Sequence, residues 1–200
     1  MSDKRMSDFS TTYNEYHPKI VRYLARLVGE SEAEDTAQEV FVKISRSLDS
    51  FRGESSLSTW IYRIATNTAM DHLRRLSLER STRPLEDNDL PRDEDTGPID
   101  NSPSHDTLLI RKEMSDCIRG IVDCLPGDFR TVLVLSEFES LTDAEIADVL
   151  GISLETGKIR LHRARTKLRK ELEAQCNFYR DERNELSCDR KTTPLKLFKK

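Results

Sequence analysis

The chain lacks any apolar run near the roughly 20 residues that span a bilayer, and Met1 to Ser10 is polar, without a signal-peptide core. A cytoplasmic chain with no membrane insertion is therefore expected. Glycine and proline are scarce, seven of each in 200 residues, while charged residues make up 34% and apolar residues 36%. That balance excludes an all-β fold and favours long amphipathic helices. Four cysteines, Cys117, Cys124, Cys176 and Cys188, are too few and too scattered for a disulfide scaffold. They read as reduced thiols, with Cys117 on an apolar helix face and Cys176 and Cys188 in the tail as the pair that could sense oxidant or metal. None of His17, His72, His105 and His162 stands at the close Cys/His spacings of a zinc site, so no metal and no cofactor is expected, and a site assembled in space from Cys117, Cys124, Cys176 and Cys188 is the alternative that spacing does not support. No glycine-rich phosphate loop, nucleophile elbow or paired-carboxylate arrangement is present, which argues against an enzyme.

What the chain has is charge, unevenly distributed. The net charge is −4, but the total conceals segregation along the sequence. From Arg83 to Asp106 eight acids face two bases, a net charge of −6, with Pro84, Pro91, Pro98 and Pro103 interspersed and almost no apolar residues. Such a segment cannot bury enough surface to fold alone and reads as a linker. It divides the chain into a domain at 7–76, an acidic linker at 77–106, a second domain at 107–172 and a tail at 173–200. The expected architecture is all-α, two small helical domains joined by a flexible acidic tether.

Three helices are predicted before the linker. Phe9, Tyr13, Tyr16, Ile20, Leu24 and Leu27 recur every three or four residues; Gly29 ends this helix and Pro18 bends or splits it. Ser31 and Glu34 stand at capping-box spacing ahead of a second stripe, Ala33, Ala37, Val40, Phe41, Ile44 and Leu48, leaving Asp35, Gln38, Glu39 and Lys43 outside. A polar turn from Asp49 to Ser56, containing Gly53, leads to a third helix at about Leu57 to Arg75 that points Leu57, Ile61, Ile64, Ala65 and Thr68 inward. Its remaining edge carries Trp60, Arg63, Asn67 and Arg74. A stacking surface, an amide and two phosphate-seeking arginines in a row suit single-stranded nucleic acid, although a core tryptophan with solvated arginines would give the same pattern.

After the linker, Leu108 to Cys124 forms a helix with Ile110, Met114, Cys117, Ile118 and Ile121 inward, and Leu125-Pro126 breaks it before a short helix from Asp128 to Phe138. Leu141 to Leu172 then has the pattern of a helix-turn-helix. Thr142 with Glu145 forms a capping box, Leu141 and Ile146 occupy staple positions, Gly151 ends the first helix and Ser153 can cap the second. At 100° per residue, Gly157, Leu161, Ala164, Leu168 and Leu172 share one narrow stripe, opposite Ile159, His162, Arg163 and Thr166. Lys158 and Arg165 flank that outer face on one side, Arg160 and Lys167 on the other. From Gly151 to Leu172 seven bases face two acids, a net charge of +5. Central side chains that reach base edges, flanked by cations for phosphates, match a helix in the major groove. Arg163 suits a guanine and Ile159 a thymine methyl.

Two stretches resemble the bacterial RNA polymerase sigma factors, in particular the extracytoplasmic-function group of the σ70 family. One is Glu34-Asp35-Thr36-Ala37-Gln38-Glu39-Val40-Phe41, followed by Phe51-Arg52-Gly53-Glu54-Ser55-Ser56-Leu57-Ser58-Thr59-Trp60-Ile61-Tyr62-Arg63-Ile64-Ala65 and then Asn67, Asp71 and Arg74-Arg75; it is similar to region 2. The other runs from Leu125-Pro126 through Arg130 to Leu161-His162-Arg163-Ala164-Arg165 and is similar to region 4. Together they span roughly three quarters of the chain in the family's order.

The resemblance implies roles. Asp35, Gln38 and Glu39 would dock on the clamp helices of the polymerase β′ subunit, with the β flap as a further contact. Phe51, Arg52, Ser55, Ser56, Trp60, Arg63, Asn67 and Arg74 would capture a flipped base and hold the melted strand of the minus-ten element. Thr156, Lys158, Ile159, Arg160, His162, Arg163 and Lys167 would read the minus-thirty-five element as duplex. The linker would thread toward the active-site and RNA-exit channels of the polymerase, and an anti-sigma factor would be a further partner. A stand-alone helix-turn-helix regulator and a metal- or redox-sensing regulator are the alternatives. Two departures stand out: Gly157 occupies a position where the family usually has valine, and the tail from Glu173 to Lys200 exceeds the minimal core. The first turns of that tail are expected to lengthen the recognition helix, and Pro194 to Lys200 to be unfolded.

Overall fold

The computed structural model describes residues 2–82, 114, 115, 117–180, 184 and 186–191. The acidic segment from Arg83 to Asp106 and the end from Pro194 to Lys200 lie outside the described residues, and the expectations about both lie there with them. The described residues fall into two compact units, one drawn from 1–93 with 134–158, the other from 94–133 with 159–200.

In the first unit the apolar stripes become helices. Helix α1, Ser2–Val28, continues through Pro18 without a break. Gly29 stops it at φ 94°, a conformation that costs a residue without Cβ little. Its N–H still donates to Ala25 O at 3.2 Å. Because the chain reverses within that one residue, α2 begins at once, Glu30–Ser47, with Gly29 itself as N-cap and no side-chain cap bond. The predicted capping box of Ser31 and Glu34 therefore does not open the helix: Ser31 already lies in its first turn. Helix α2 buries Ala33, Thr36, Ala37, Val40, Phe41 and Ile44.

A single 3-10 turn, Leu48–Ser50, precedes α3, Leu57–Thr82. Ser56 Oγ caps α3 by accepting the Thr59 N–H at 3.0 Å. The helix runs a further seven residues past the predicted end at Arg75, because no glycine or proline interrupts the chain before Pro84. The core of this bundle is Ile20, Tyr23, Leu24 and Leu27 of α1, Ala37, Val40 and Ile44 of α2, and Ile61, Ala65 and Ala69 of α3, all 2% exposed or less. Each large aliphatic side chain so buried contributes roughly 1.5–3 kcal/mol before entropy is counted. Tyr23 meets Tyr62 edge to face at 5.2 Å and 88°, and its hydroxyl shares a hydrogen bond with Thr66 Oγ1 at 2.7 Å.

In the second half of the chain, residues 117–123 are helical and form α4. The break at Leu125-Pro126 leads to α5, Gly127–Leu133. The predicted helix from Asp128 to Phe138 is tighter at its start than at its end, since Val134–Phe138 widens to π-helical winding. There the Glu139 N–H reaches Val134 O at 3.2 Å and the Leu141 N–H reaches Leu135 O at 3.1 Å. Helix α6, Asp143–Leu150, and helix α7, Leu154–Gln175, form the helix-turn-helix. The tail does lengthen α7, to Gln175, and then does something the sequence reading did not foresee. Strands β1, Cys176–Arg180, and β2, Leu186–Arg190, pair antiparallel, with Cys176 opposite Arg190 and Phe178 opposite Cys188. Two adjacent aromatics in β1 and Asn184 at φ 62° in the turn were the available signals. The Lys191 N–H donates to Gln175 O at 2.8 Å and closes the base of the hairpin. The fold is all-α with this one small hairpin added.

Gly157 of α7 is buried against α6. A Cβ there would lie 3.6 Å from Ala147 Cβ and 3.9 Å from its Cα, ordinary contact distances. The close approach therefore tolerates one methyl, and helix propensity decides the sign. Gly157→Ala should stabilise the chain by about 0.5–1 kcal/mol. Thermal or urea denaturation checks this, and a lower melting temperature would show that the site does not accommodate the methyl group.

Candidate nucleic-acid interface

Among the described residues, two polar helix surfaces are candidates for nucleic acid. The first lies along α3 and the turn before it. Gly53, at φ 71°, lets that turn close, and the Phe51 ring stacks obliquely on Trp60 at 5.3 Å. Thr11, Thr12, Leu48, Phe51 and Leu57 line an open hollow beside it. Trp60 is half-buried, Arg52 and Ser56 are exposed and Ser55 is partly exposed. Within the same unit Arg63 Nη2 pairs with Asp148 Oδ1 of α6 at 2.5 Å, and both side chains remain well exposed. Asn67 is exposed. Arg74, exposed too, pairs with Asp71 at 3.0 Å. The row Trp60, Arg63, Asn67 and Arg74 thus shares an edge, with Arg63 engaged by a carboxylate.

Sequence reasoning missed the residues of 138–148 that meet α1 and α3, because the partners lie far apart in the chain. Tyr62 Oη donates to Glu139 Oε2. Arg26 lies 4.5 Å from the centre of the Phe138 ring and 3.9 Å from Glu139 Oε1. Burial first, then the Glu139 carboxylate, pushes the Tyr62 phenol well above its ordinary pKa, and burial does the same to Tyr23. Both hydroxyls stay protonated and serve as structural donors.

On α2, Asp35 and Gln38 are exposed. Glu39 is partly exposed and braced between Lys43 Nζ at 2.8 Å and Arg75 Nη2 at 3.2 Å. The hydrogen bond from Lys43, ahead of that from Arg75, holds its carboxyl below the usual carboxylate range. Lys43 also reaches Thr68 Oγ1 at 2.9 Å, so this acidic face is fixed to α3 at one point and open at two.

The second surface is α7. Thr142 and Glu145 form both halves of the capping box at the start of α6, and Gly151 ends that helix at φ 63°. Ser153 Oγ accepts the Thr156 N–H at 3.2 Å and shares a hydrogen bond with Thr156 Oγ1, as an N-cap should. Burial along α7 follows the 100° pattern: Gly157, Leu161 and Ala164 are buried and Leu168 and Leu172 half-buried. Ile159, an aliphatic residue, is 46% exposed, and Lys158, His162, Arg163 and Thr166 are exposed beside it. The flanks are more constrained, since Arg160 lies 4.0 Å from Asp128 and Lys167 lies 3.9 Å from Glu171.

The Sigma-70 region 2 family model matches residues 12–79, and the Sigma-70, region 4 model matches residues 115–168. The RNA polymerase sigma-H factor of Pseudomonas aeruginosa is 36% identical over 176 residues, which cover 86% of this chain and 88% of the relative. The ECF RNA polymerase sigma-E factor of Escherichia coli K12 is 31% identical over 150 residues, covering 75% and 78%. Two solved structures share the fold at 21% identity. One is the sigma factor RpoE with the anti-sigma factor NepR from Bartonella quintana, with a TM-score of 0.64 over 83% of this chain and 97% of that one. The other is CnrH with the cytosolic domain of CnrY, with a TM-score of 0.56 over 84% and 90%.

The capping box carries a pH dependence. The Thr142 N–H first, and then its hydroxyl, hold the Glu145 carboxyl below its ordinary range. A carboxylate depressed in the folded state stabilises fully above the unfolded pKa, near 4.3, and loses that contribution as pH falls through the lower folded value. Glu145→Gln should therefore flatten the acid limb of a stability-against-pH curve measured by urea denaturation. An acid limb identical to that of the parent chain would contradict this role for Glu145.

Proposed function

The chain belongs to the σ70 family of bacterial RNA polymerase sigma factors, in its extracytoplasmic-function group, and on that premise we propose how its surfaces divide the work of promoter recognition. It is a sigma factor that directs core polymerase to promoters and takes part in DNA melting and initiation. Residues 7–76 act as region 2, 77–106 as the linker, 107–172 as region 4 and 173–200 as an added tail. The chain works in the cytoplasm, where polymerase is; among the described residues no helix is long and apolar enough to cross a membrane. It contributes binding energy to initiation and no catalytic group.

The observation that carries the reading is the one-sided exposure of α7. Ile159, His162 and Arg163 face outward while Gly157, Leu161 and Ala164 are buried. On duplex DNA of the minus-thirty-five element, Arg163 pairs with a guanine and Ile159 meets a thymine methyl. Thr156, Lys158, Arg160 and Lys167 set the register on phosphates. On the melted minus-ten strand, Phe51 and Trp60 supply the stacking surface. Arg52, Arg63 and Arg74 supply cations, and Ser55, Ser56 and Asn67 supply polar edges. Binding energy from the exposed strand offsets its unpairing. In this assignment the strand takes the place of Asp148 on Arg63.

Asp35, Gln38 and Glu39 form the face for the β′ clamp helices, with Glu39 held ready by Lys43 and Arg75, and region 4 meets the β flap. An anti-sigma factor is a further partner, as the sigma factor RpoE has NepR in its structure. A regulator acting alone on DNA is not favoured, because the family membership covers both halves of the chain.

Reconstituted transcription with core polymerase tests these assignments. Arg163→Ala should relax preference at one base pair of the upstream element, at a cost of about 1–3 kcal/mol. An unchanged preference at every position would remove Arg163 from the readout. Asp35→Arg should weaken binding to core polymerase while leaving the circular dichroism spectrum intact; unchanged affinity would argue against that face. Asp148→Ala should raise the affinity of the free chain for single-stranded minus-ten oligonucleotides by releasing Arg63, and Arg63→Ala in the same background should cancel the gain.

A further inference from the structure

Three thiols belong to neither DNA surface. Cys176 opens β1 directly after the last residue of α7, Cys188 lies in β2, and Cys117 lies on α4. Cys117 Sγ and Cys176 Sγ are in contact at 3.5 Å although the residues are 59 apart in the chain. In the hairpin, Cys176 sits opposite Arg190 and Cys188 opposite Phe178. Cys176 and Cys188 are therefore diagonal neighbours on one face of the ribbon. Cys176 is 3% exposed; Cys117 and Cys188 are partly exposed, and the fourth cysteine, Cys124, is exposed on the turn after α4.

The spacing matters. With metal–sulfur bonds of about 2.3 Å at the tetrahedral angle, two thiolates on one cation lie roughly 3.8 Å apart. A disulfide requires about 2.05 Å with a specific dihedral. The observed 3.5 Å is close to the first value and far from the second. We propose that Cys117, Cys176 and Cys188 form a thiolate site for a thiophilic closed-shell cation, Zn2+ or Cu+, that ties the hairpin to α4.

Among the described residues no group of three or more side chains already stands at metal-holding geometry, so Cys188 closes on the contacting pair when the cation arrives. The short hairpin, anchored at its base by Lys191 and Gln175, is the element that carries it. Each thiol gives up one proton to solvent and one lone pair to the cation, and no electron is transferred. Three thiolates complete a trigonal Cu+ site, whereas Zn2+ leaves a fourth position for water or another ligand. Linear spacing argues against a metal only because zinc motifs read from sequence use close ligand pairs; here the fold supplies the proximity. The consequence is structural. The last turn of the recognition helix runs straight into a ligand, so an occupied site restrains that end of α7.

The test uses the full chain, stripped with a chelator under reducing, anaerobic conditions and titrated separately with Zn2+ and Cu+. Metal retained after desalting is measured by elemental analysis, and the melting temperature is followed in parallel. One equivalent of one cation should be retained with a rise in melting temperature, and the arm that binds identifies the metal. Cys176→Ser and Cys188→Ser should each lose retention after desalting, while Cys124→Ser should keep it. Co2+, as a spectroscopic probe, should show sulfur-to-metal absorption that falls in Cys188→Ser, a half-exposed position whose replacement leaves the core intact. Retention of neither cation, or equal retention by Cys188→Ser and the parent, would overturn the proposal. So would a chain that on mild peroxide treatment loses two hydrogens to a Cys117–Cys176 disulfide and never takes up metal when reduced.

Discussion

The tyrosine pair at the centre of the first unit fixes what the other elements there can do. Tyr23 is fully buried and meets Tyr62 edge to face. Its hydroxyl pairs with Thr66 Oγ1, which in turn donates to Tyr62 O one helical turn back at 2.7 Å. Tyr62 uses its own hydroxyl on Glu139. A buried hydroxyl without a partner costs about 1–3 kcal/mol, so this chain of bonds admits one rotation of α3 about its axis. With Tyr62 and Thr66 turned inward, Trp60, Arg63 and Asn67 are left on the flank. The edge of α3 proposed for nucleic acid is the geometric remainder of its packing.

The same logic leaves α7 with an exposed basic face. A helix whose apolar positions form a stripe only one residue wide buries little and leaves the rest of its circumference to cations. The chain is acidic as a whole, yet this segment is basic, and in the first unit Asp148 neutralises Arg63. Net negative charge away from the reading surfaces opposes non-specific adhesion to DNA and leaves specific contacts to be made once polymerase holds the chain. On the proposed assignment, affinity for promoters belongs to the assembly more than to the isolated chain.

Much of this was legible in the sequence, for local reasons. The box of Thr142 and Glu145, the left-handed Gly151 and the stripe Gly157, Leu161 and Ala164 are all set within a few residues of one another, and the structure has each of them. Where local rules competed, the sequence misled. Ser31 and Glu34 have the spacing of a capping box, but Gly29 turns the chain so tightly that the helix starts before them. Residues 134–138 kept a helical pattern but widened to π winding. The bonds of Arg63 to Asp148 and of Tyr62 to Glu139, and the meeting of Cys117 with Cys176, join residues far apart in the chain. No periodicity reports them. The hairpin at Cys176–Arg190 escaped because two strands of five residues, without β-branched side chains, give little pattern to read.

In the proposed assignment two different helices grip two different states of DNA, α7 the duplex and α3 the melted strand. Permanganate reactivity of promoter thymines, read beside protection of the upstream duplex, separates the two in holoenzyme carrying Trp60→Ala. Thymines near the start site should lose reactivity while the upstream footprint over the minus-thirty-five element persists. Unimpaired melting, or loss of the upstream footprint together with melting, would contradict it.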